Sequence, residues 1–204
     1  MMTIIDYGLG NIKALVNVYN RLNIDIQVAT SSTQVISATK IILPGVGSFD
    51  FAMNQLNKSG MRDALEKRVL VDHIPVVGIC VGMQMLAEDS EEGVEKGLGW
   101  IKGSVRKFDE SLIPFKTRLP HMGWNTIKPR SGVKLFDRIE QDSRFYFLHS
   151  YYFENQDPGE LICTTEYGIT YASAVNRANV YGIQFHPEKS HFNGVRLLHD
   201  FANL

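Results

Sequence analysis

The chain has 204 residues, 44% hydrophobic and 21% charged, enough apolar material for one sizeable core and unlike a disordered or fibrous sequence. With 21 Lys+Arg against 22 Asp+Glu, a formal net charge of -1 and no long run of one sign, it lacks the basic footprint of a nucleic-acid-binding surface. The apolar start is broken at Asp6, too early for a secretory signal or a membrane span, which predicts a cytosolic protein with Cys80 and Cys163 as free thiols.

An apolar run at 3–5 is followed by a helical pattern over 11–22, a strand at 24–28 and another at 40–43 that stops at Pro44 and Gly45. Helical patterns then cover 49–57 and 61–70, and an apolar strand covers 75–79. This alternation predicts an α/β fold with a doubly wound, mostly parallel sheet, because strands covered on both faces read as continuous apolar runs. Ligands in such sheets sit at the carboxyl ends of the strands. From residue 98 the pattern changes: strand-like runs at 98–108, 124–127, 144–153, 160–165, 172–176 and 180–185 predict antiparallel hairpins added to the sheet, closed by a helix at 193–201. No repeat or linker divides the chain, so a single domain over 1–204 is expected. Gly8 and Gly10 follow the first strand as in a dinucleotide fingerprint, but Lys13 stands where the third glycine belongs and no acid-tipped second strand follows, so no nucleotide site is predicted.

Residues 75–86 read PVVGICVGMQML, an apolar strand running through Gly78, Cys80 and Gly82 into a helical pattern. Small residues two before and two after a nucleophile are what a sharp strand-to-helix turn requires. Such a turn would set Cys80 at a helix N-terminus, where free N–H groups and the macrodipole favour a thiolate, and would aim the Val81 N–H at an oxyanion. A small buried hydrophobe flanked by glycines fits the same letters equally well. Cys163, inside LICTTEY without glycine or helix nearby, reads as core.

A cysteine nucleophile needs an imidazole to move protons and a group to hold that imidazole. The segment YGIQFHPEKS at 181–190 supplies His186 and Glu188, which in extended chain would project to one side, stiffened by Pro187. A strand end with an exposed histidine and a surface Glu-Lys pair is the competing reading. His73, His191 and His199 read as surface, whereas His121 and His149, embedded among aromatic residues, suit either packing or function.

Together GICVGMQ, HSYY at 149–152 and QFHPEKS resemble the class I glutamine amidotransferases, whose order along the chain is Cys, His, then Glu two residues on. DYGLGN at 6–11, PGVGSF at 44–49, AEDSEEG at 87–93 and PHMGWN at 120–125 are similar to the HisH branch of that family, the glutaminase subunits of imidazole glycerol phosphate synthase. The resemblance implies the family's flavodoxin-like fold, a Cys80, His186 and Glu188 triad, and an oxyanion hole from the backbone of Val46 and Val81. It implies that Gly47, Gln84, Glu92 and the Ser150 and Tyr151 backbone hold glutamine, with no cofactor and no metal. Glu92 is also readable as a solvated acid, and Gln84 as a brace for buried backbone. The implied partner is a HisF-type (β/α)8 barrel cyclase that receives the ammonia in a heterodimer, with Trp124, Asn125 and Lys189 facing it. Val81 departs from the leucine usual in the family, at a position where only the backbone N–H is needed. GLGWIKG and PEKSHFNG also resemble paralogues that supply ammonia to amidinate a surface-polysaccharide sugar, and a non-catalytic binding module is a third reading. Histidine biosynthesis is the preferred destination of the ammonia. Glycines on both sides of Val46 predict a peptide that reorients at little cost, so a β-branched residue at 45 is expected to lower stimulated turnover.

Overall fold

The computed structural model describes residues 1–116 and 118–204. The first half alternates strand and helix: β1 (Met2–Ile5), α1 (Ile12–Arg21), β2 (Ile26–Ala29), α2 (Ser32–Ile36), β3 (Lys40–Gly45), α3 (Phe49–Lys58), α4 (Arg62–Glu66), β4 (Val76–Cys80) and α5 (Val81–Gln84). The second half is strand-rich: β5 (Asp89–Ser90), β6 (Gly103–Lys107), β7 (His121–Thr126), β8 (Lys128–Pro129), β9 (Arg144–His149), β10 (Tyr151–Asn155), β11 (Leu161–Tyr167), β12 (Ile169–Arg177) and β13 (Val180–Ile183), before α6 (His191–Ala202).

An 11-stranded sheet runs β2-β1-β3-β4-β13-β12-β10-β6-β5, with β11 paired to β12 and β8. β1, β2, β3, β4 and β13 are mutually parallel, and β12, β10 and β11 pair antiparallel. β7 and β9 form a separate two-stranded sheet. The central parallel strands are buried on both faces, as their unbroken apolar runs require. Helix α1 buries Leu15, Val18 and Tyr19, spaced three and four apart on one face, and the Tyr19 hydroxyl donates to the Leu198 carbonyl of α6 at 3.2 Å. Among the described residues no helix is long and apolar enough to cross a membrane.

Three departures from the sequence reading have physical causes. β3 continues through Pro44 and Gly45, which pair with Ile79 and Cys80, because β1 ends its pairing at Ile42 and the missing N–H of Pro44 falls where no ladder bond is needed. The run at 98–108 is a strand only over Gly103–Lys107; its first part is a loop whose Leu98 and Ile101 N–H groups donate to Met85 and Leu86, burying Trp100 and Ile101. The run at 144–153 is two strands in two sheets. Phe145, Phe147, His149 and Phe153 are all buried and share one parity, so the pattern carries no mark of the break at Ser150. The short elements α2, β5 and β8 lie outside the predicted set.

Candidate active site

Cys80 ends β4 with φ 56° and ψ -113°, a conformation that costs a non-glycine residue about 1–3 kcal/mol and persists only where the surroundings enforce it. Packing around it is backbone against backbone. A Cβ at Gly82 would overlap the Leu43 carbonyl oxygen, one at Gly78 the Gly82 carbonyl oxygen, and one at Gly45 the Gly82 nitrogen. All three glycines are therefore required for β3 and β4 to approach the elbow. Helix α5 is a single turn, Val81–Gln84, so the expected macrodipole contributes little and the free N–H groups of that turn carry the local field.

Over the sulfur opens a cavity of about 310 Å³, at the small end of the range for small-molecule sites. Val46, Gly47, Cys80, Val81 and, after β13, His186 and Lys189 line it at the carboxyl ends of the parallel strands β3, β4 and β13, with Gln84 and Glu92, while His149, Ser150 and Tyr151 line it at the junction of β9 and β10. The parallel and antiparallel halves of the fold thus each supply a wall.

His186 is 3% exposed and its Nδ1 lies 2.9 Å from Glu188 Oε1, so the ring donates to the carboxylate and turns its other nitrogen toward Cys80. Burial opposes a charge on His186, but hydrogen bonds to the Cys80 sulfur and to Glu188 outweigh it and hold the imidazole up at about 10. Burial likewise pushes Glu188 up, yet His186 and Asn11 keep its carboxyl below the ordinary value. The expected strand alternation is not how the two residues meet. His186 is extended (φ -99°, ψ 96°), but Pro187 opens a 3-10 turn, Pro187–Lys189, that swings Glu188 back to the ring. Ser190 closes this turn, its hydroxyl donating to the His186 carbonyl at 2.6 Å and accepting from the Tyr146 N–H at 3.0 Å.

Gln84 is buried, its Nε2 donating to the Tyr151 carbonyl at 3.0 Å and to Gln184 Oε1 at 3.1 Å, so it both lines the cavity and braces backbone. Glu92 accepts the Phe49 N–H at 2.8 Å at the start of α3. Burial raises its carboxyl, the Phe49 N–H partly offsets this, and Asp50 adds to the rise, leaving a carboxylate that a cation would stabilise. Gly47 has φ +91° with open space where a Cβ would lie, whereas Gly45 is a contact glycine without positive φ. A β-branched residue at 45 would therefore break the elbow itself, and conformational freedom next to Val46 resides in Gly47.

Trp124 is 38% exposed and stacks on His191 at 5.1 Å, beside Met122 at 62%. Lys189 Nζ sits 5.6 Å over the Tyr146 ring at the cavity mouth. Asn125 lies off that mouth, donating to the Glu166 carbonyl at 2.9 Å. Cys163 is 1% exposed, with burial pushing its thiol up to about 12, as suits a core residue.

Two cavity neighbours were not singled out from the sequence. Asn11 Nδ2 donates to Glu188 Oε1 at 2.6 Å across 177 residues, and Gln184 Nε2 lies 3.8 Å from the Cys80 sulfur. The DYGLGN motif carries the signal for Asn11; Gln184 lies in the apolar run 180–185, just past the end of β13, where nothing local marks it.

A strained cysteine facing a carboxylate-held imidazole across a small cavity, at the carboxyl end of a parallel sheet, defines a thiol hydrolase of the amidotransferase type. Residues 3–203 match the glutamine amidotransferase class-I family. The imidazole glycerol phosphate synthase subunit HisH of Bdellovibrio bacteriovorus is 53% identical over 204 residues, 100% of both chains, and that of Leptospira interrogans is 49% identical over the same full span. A crystal structure of a glutamine amidotransferase superposes with TM-score 0.75 at 17% identity, covering 100% of this chain and 99% of the other. PurLQS from Thermotoga maritima gives 0.75 at 15%, covering 99% and 97%; both show likeness of fold. The chain belongs to the class I glutamine amidotransferases and, within them, to the HisH subunits of imidazole glycerol phosphate synthase.

Proposed function

We infer that the chain, acting as one domain in the cytosol, is the glutaminase subunit of imidazole glycerol phosphate synthase. It hydrolyses L-glutamine through Cys80 and passes ammonia to a HisF-type (β/α)8 barrel cyclase that makes imidazole glycerol phosphate and AICAR in histidine biosynthesis. The observation that carries this reading is the imidazole of His186, held by Glu188 at 2.9 Å on one side and facing the Cys80 sulfur on the other, at the floor of an amino-acid-sized cavity.

The Cys80 thiolate attacks the side-chain amide carbon of glutamine, and the oxygen that becomes negative is received by the N–H groups of Val81 and Val46. His186, an imidazolium in the resting pair, protonates the departing amine, so ammonia leaves and a glutamyl thioester remains. Now neutral, His186 takes a proton from water as its oxygen attacks the thioester, and glutamate departs with the thiolate restored. Glu188 stabilises the charged ring throughout, with Asn11 fixing the carboxylate. Glu92 is placed to meet the α-ammonium group, and Gly47, Gln84 and the Ser150 and Tyr151 backbone to hold the rest of the substrate. Trp124, Met122 and Lys189 form an exposed apolar and cationic rim suited to docking the barrel, with Asn125 beside it.

The test is ammonia release from glutamine by the chain mixed with a HisF-type barrel and its ribonucleotide substrate. Stimulated turnover, with glutamate and ammonia formed in equal amounts, is expected. Turnover only with a barrel that amidinates a sugar would overturn the histidine assignment, and none with either would overturn the glutaminase reading.

A further inference from the structure

From His149, which lines the cavity beside Ser150 and Tyr151, a series of buried polar side chains that the hydrolytic steps do not use runs back into the protein. His121 and Tyr171 are each 3% exposed and His149 7%. Asn125 Nδ2 is 3.2 Å from His121 Nε2, and His121 Nδ1 is 3.2 Å from the Tyr171 hydroxyl. That hydroxyl is 3.1 Å from His149 Nε2, and His149 Nδ1 is 2.8 Å from the Tyr151 carbonyl oxygen. The groups come from β7, β12, β9 and β10, so the series stitches the small sheet to the large one.

Every proton in it is determined by the backbone at the two ends. Burial holds both imidazoles well down, His121 at about 4 and His149 at about 3, so each is neutral and has a single N–H. The Tyr151 carbonyl only accepts, hence His149 carries its proton on Nδ1 and its Nε2 accepts the Tyr171 O–H. The Tyr171 oxygen then accepts from His121 Nδ1, leaving His121 Nε2 to accept from Asn125. The Asn125 amide is oriented independently: its Nδ2 donates to the Glu166 carbonyl at 2.9 Å and its Oδ1 accepts the Thr126 N–H at 2.8 Å. All bonds run one way, and both histidines are Nδ1–H tautomers. At the far end the Tyr151 carbonyl also accepts from Gln84, which reaches Gln184 and through it the Cys80 sulfur.

We propose that His121, Tyr171 and His149 are positioning residues: a one-directional relay that fixes the Tyr151 carbonyl and the glutamine-binding wall, and ties that wall to the Asn125 end of β7. A neutral hydroxyl between two neutral imidazoles has no chemistry to perform on the substrate. It does, however, remove the freedom of the segment that bends from one sheet into the other at Ser150. The relay rests on glutamine occupying the Cys80 cavity.

Tyr171→Phe deletes one oxygen, breaks both central bonds and keeps the ring that packs on Phe108 at 5.1 Å. Assayed in the complex with the barrel partner, this variant should raise the KM for glutamine about tenfold, the scale of a lost buried hydrogen bond, with kcat within about twofold. Alkylation of Cys80 by iodoacetamide should proceed at the wild-type rate, since the elbow and His186 are untouched. In wild type, long-range ¹⁵N–¹H spectra should show both His121 and His149 as Nδ1–H tautomers, a readout that does not depend on how the variant folds. An Nε2–H tautomer at either residue, or an unchanged KM in an active complex, would overturn the relay alone. A wild-type complex inert toward glutamine would overturn the assignment of the cavity, and the relay with it.

Discussion

The two walls of the Cys80 cavity hold equally buried histidines in opposite charge states. Beside the parallel strands, His186 at 3% exposure has its imidazole raised to about 10; across the cavity, His149 at 7% is lowered to about 3. Burial alone disfavours the imidazolium in both places. The difference lies in the partners: a carboxylate and the Cys80 sulfur for His186, against a carbonyl, a hydroxyl and a second imidazole for His149. One wall is thereby equipped to move charge and the other to hold shape.

The largest effect that would break this contrast is at the nucleophile. Cys80→Ala should lower glutamine hydrolysis in the partner complex by at least about a thousandfold, as loss of a covalent nucleophile does, while Cys163→Ala leaves turnover near wild type. Equal activity in the two variants would assign the chemistry elsewhere. Next is the carboxylate: Glu188→Gln removes the anion that keeps His186 charged, and kcat should fall roughly a hundredfold or more. A kcat within twofold of wild type would show that Asn11 and the turn orient the ring unaided.

Stability should separate the walls by sign. His121 and His149 are neutral when folded and titrate near 6.5 when unfolded, so their contribution is complete above about pH 6.5 and is lost as pH falls toward about 4 and 3, by roughly 1.4 kcal/mol per unit for each group. His186 behaves in reverse, its contribution complete below about pH 6.5 and fading as pH rises toward about 10. Urea midpoints from pH 4 to 10 would test this: His149→Gln should blunt the acid loss and His186→Ala the alkaline one. Smallest is Gly47→Ala, which asks an L residue to hold φ +91° in open space and should slow stimulated turnover severalfold with a stability change of about 1 kcal/mol. Gly82→Ala, by contrast, would force a Cβ into the Leu43 carbonyl and should destabilise the fold by about 1–3 kcal/mol or more.

The wall that carries Cys80, His186 and Glu188 was largely legible because its requirements are local. Gly78 and Gly82 flank Cys80 at the spacing a tight elbow demands, and His186 and Glu188 are two residues apart. Even there the pair meets through a 3-10 turn rather than by strand alternation, a turn set by the packing of Ser190 against β9. The binding wall was not legible in the same way. The alternation of Phe145, Phe147, His149 and Phe153 runs unbroken through Ser150, so nothing local announces that the chain leaves one sheet and enters another. Asn11 reaches Glu188 from 177 residues away, a contact that no window of sequence contains.

By itself, then, the sequence marked Cys80, His186 and Glu188 as candidates and predicted the parallel architecture that presents them, since small neighbours, strand period and helix period act over a few residues. Only the tertiary structure decided that the imidazole of His186 is raised while those of His121 and His149 are lowered, and that Gly45 packs while Gly47 bends. It also decided that His121 and His149 belong to one relay. Those properties depend on desolvation and on partners drawn from distant strands, and exist only once the two sheets have closed on each other.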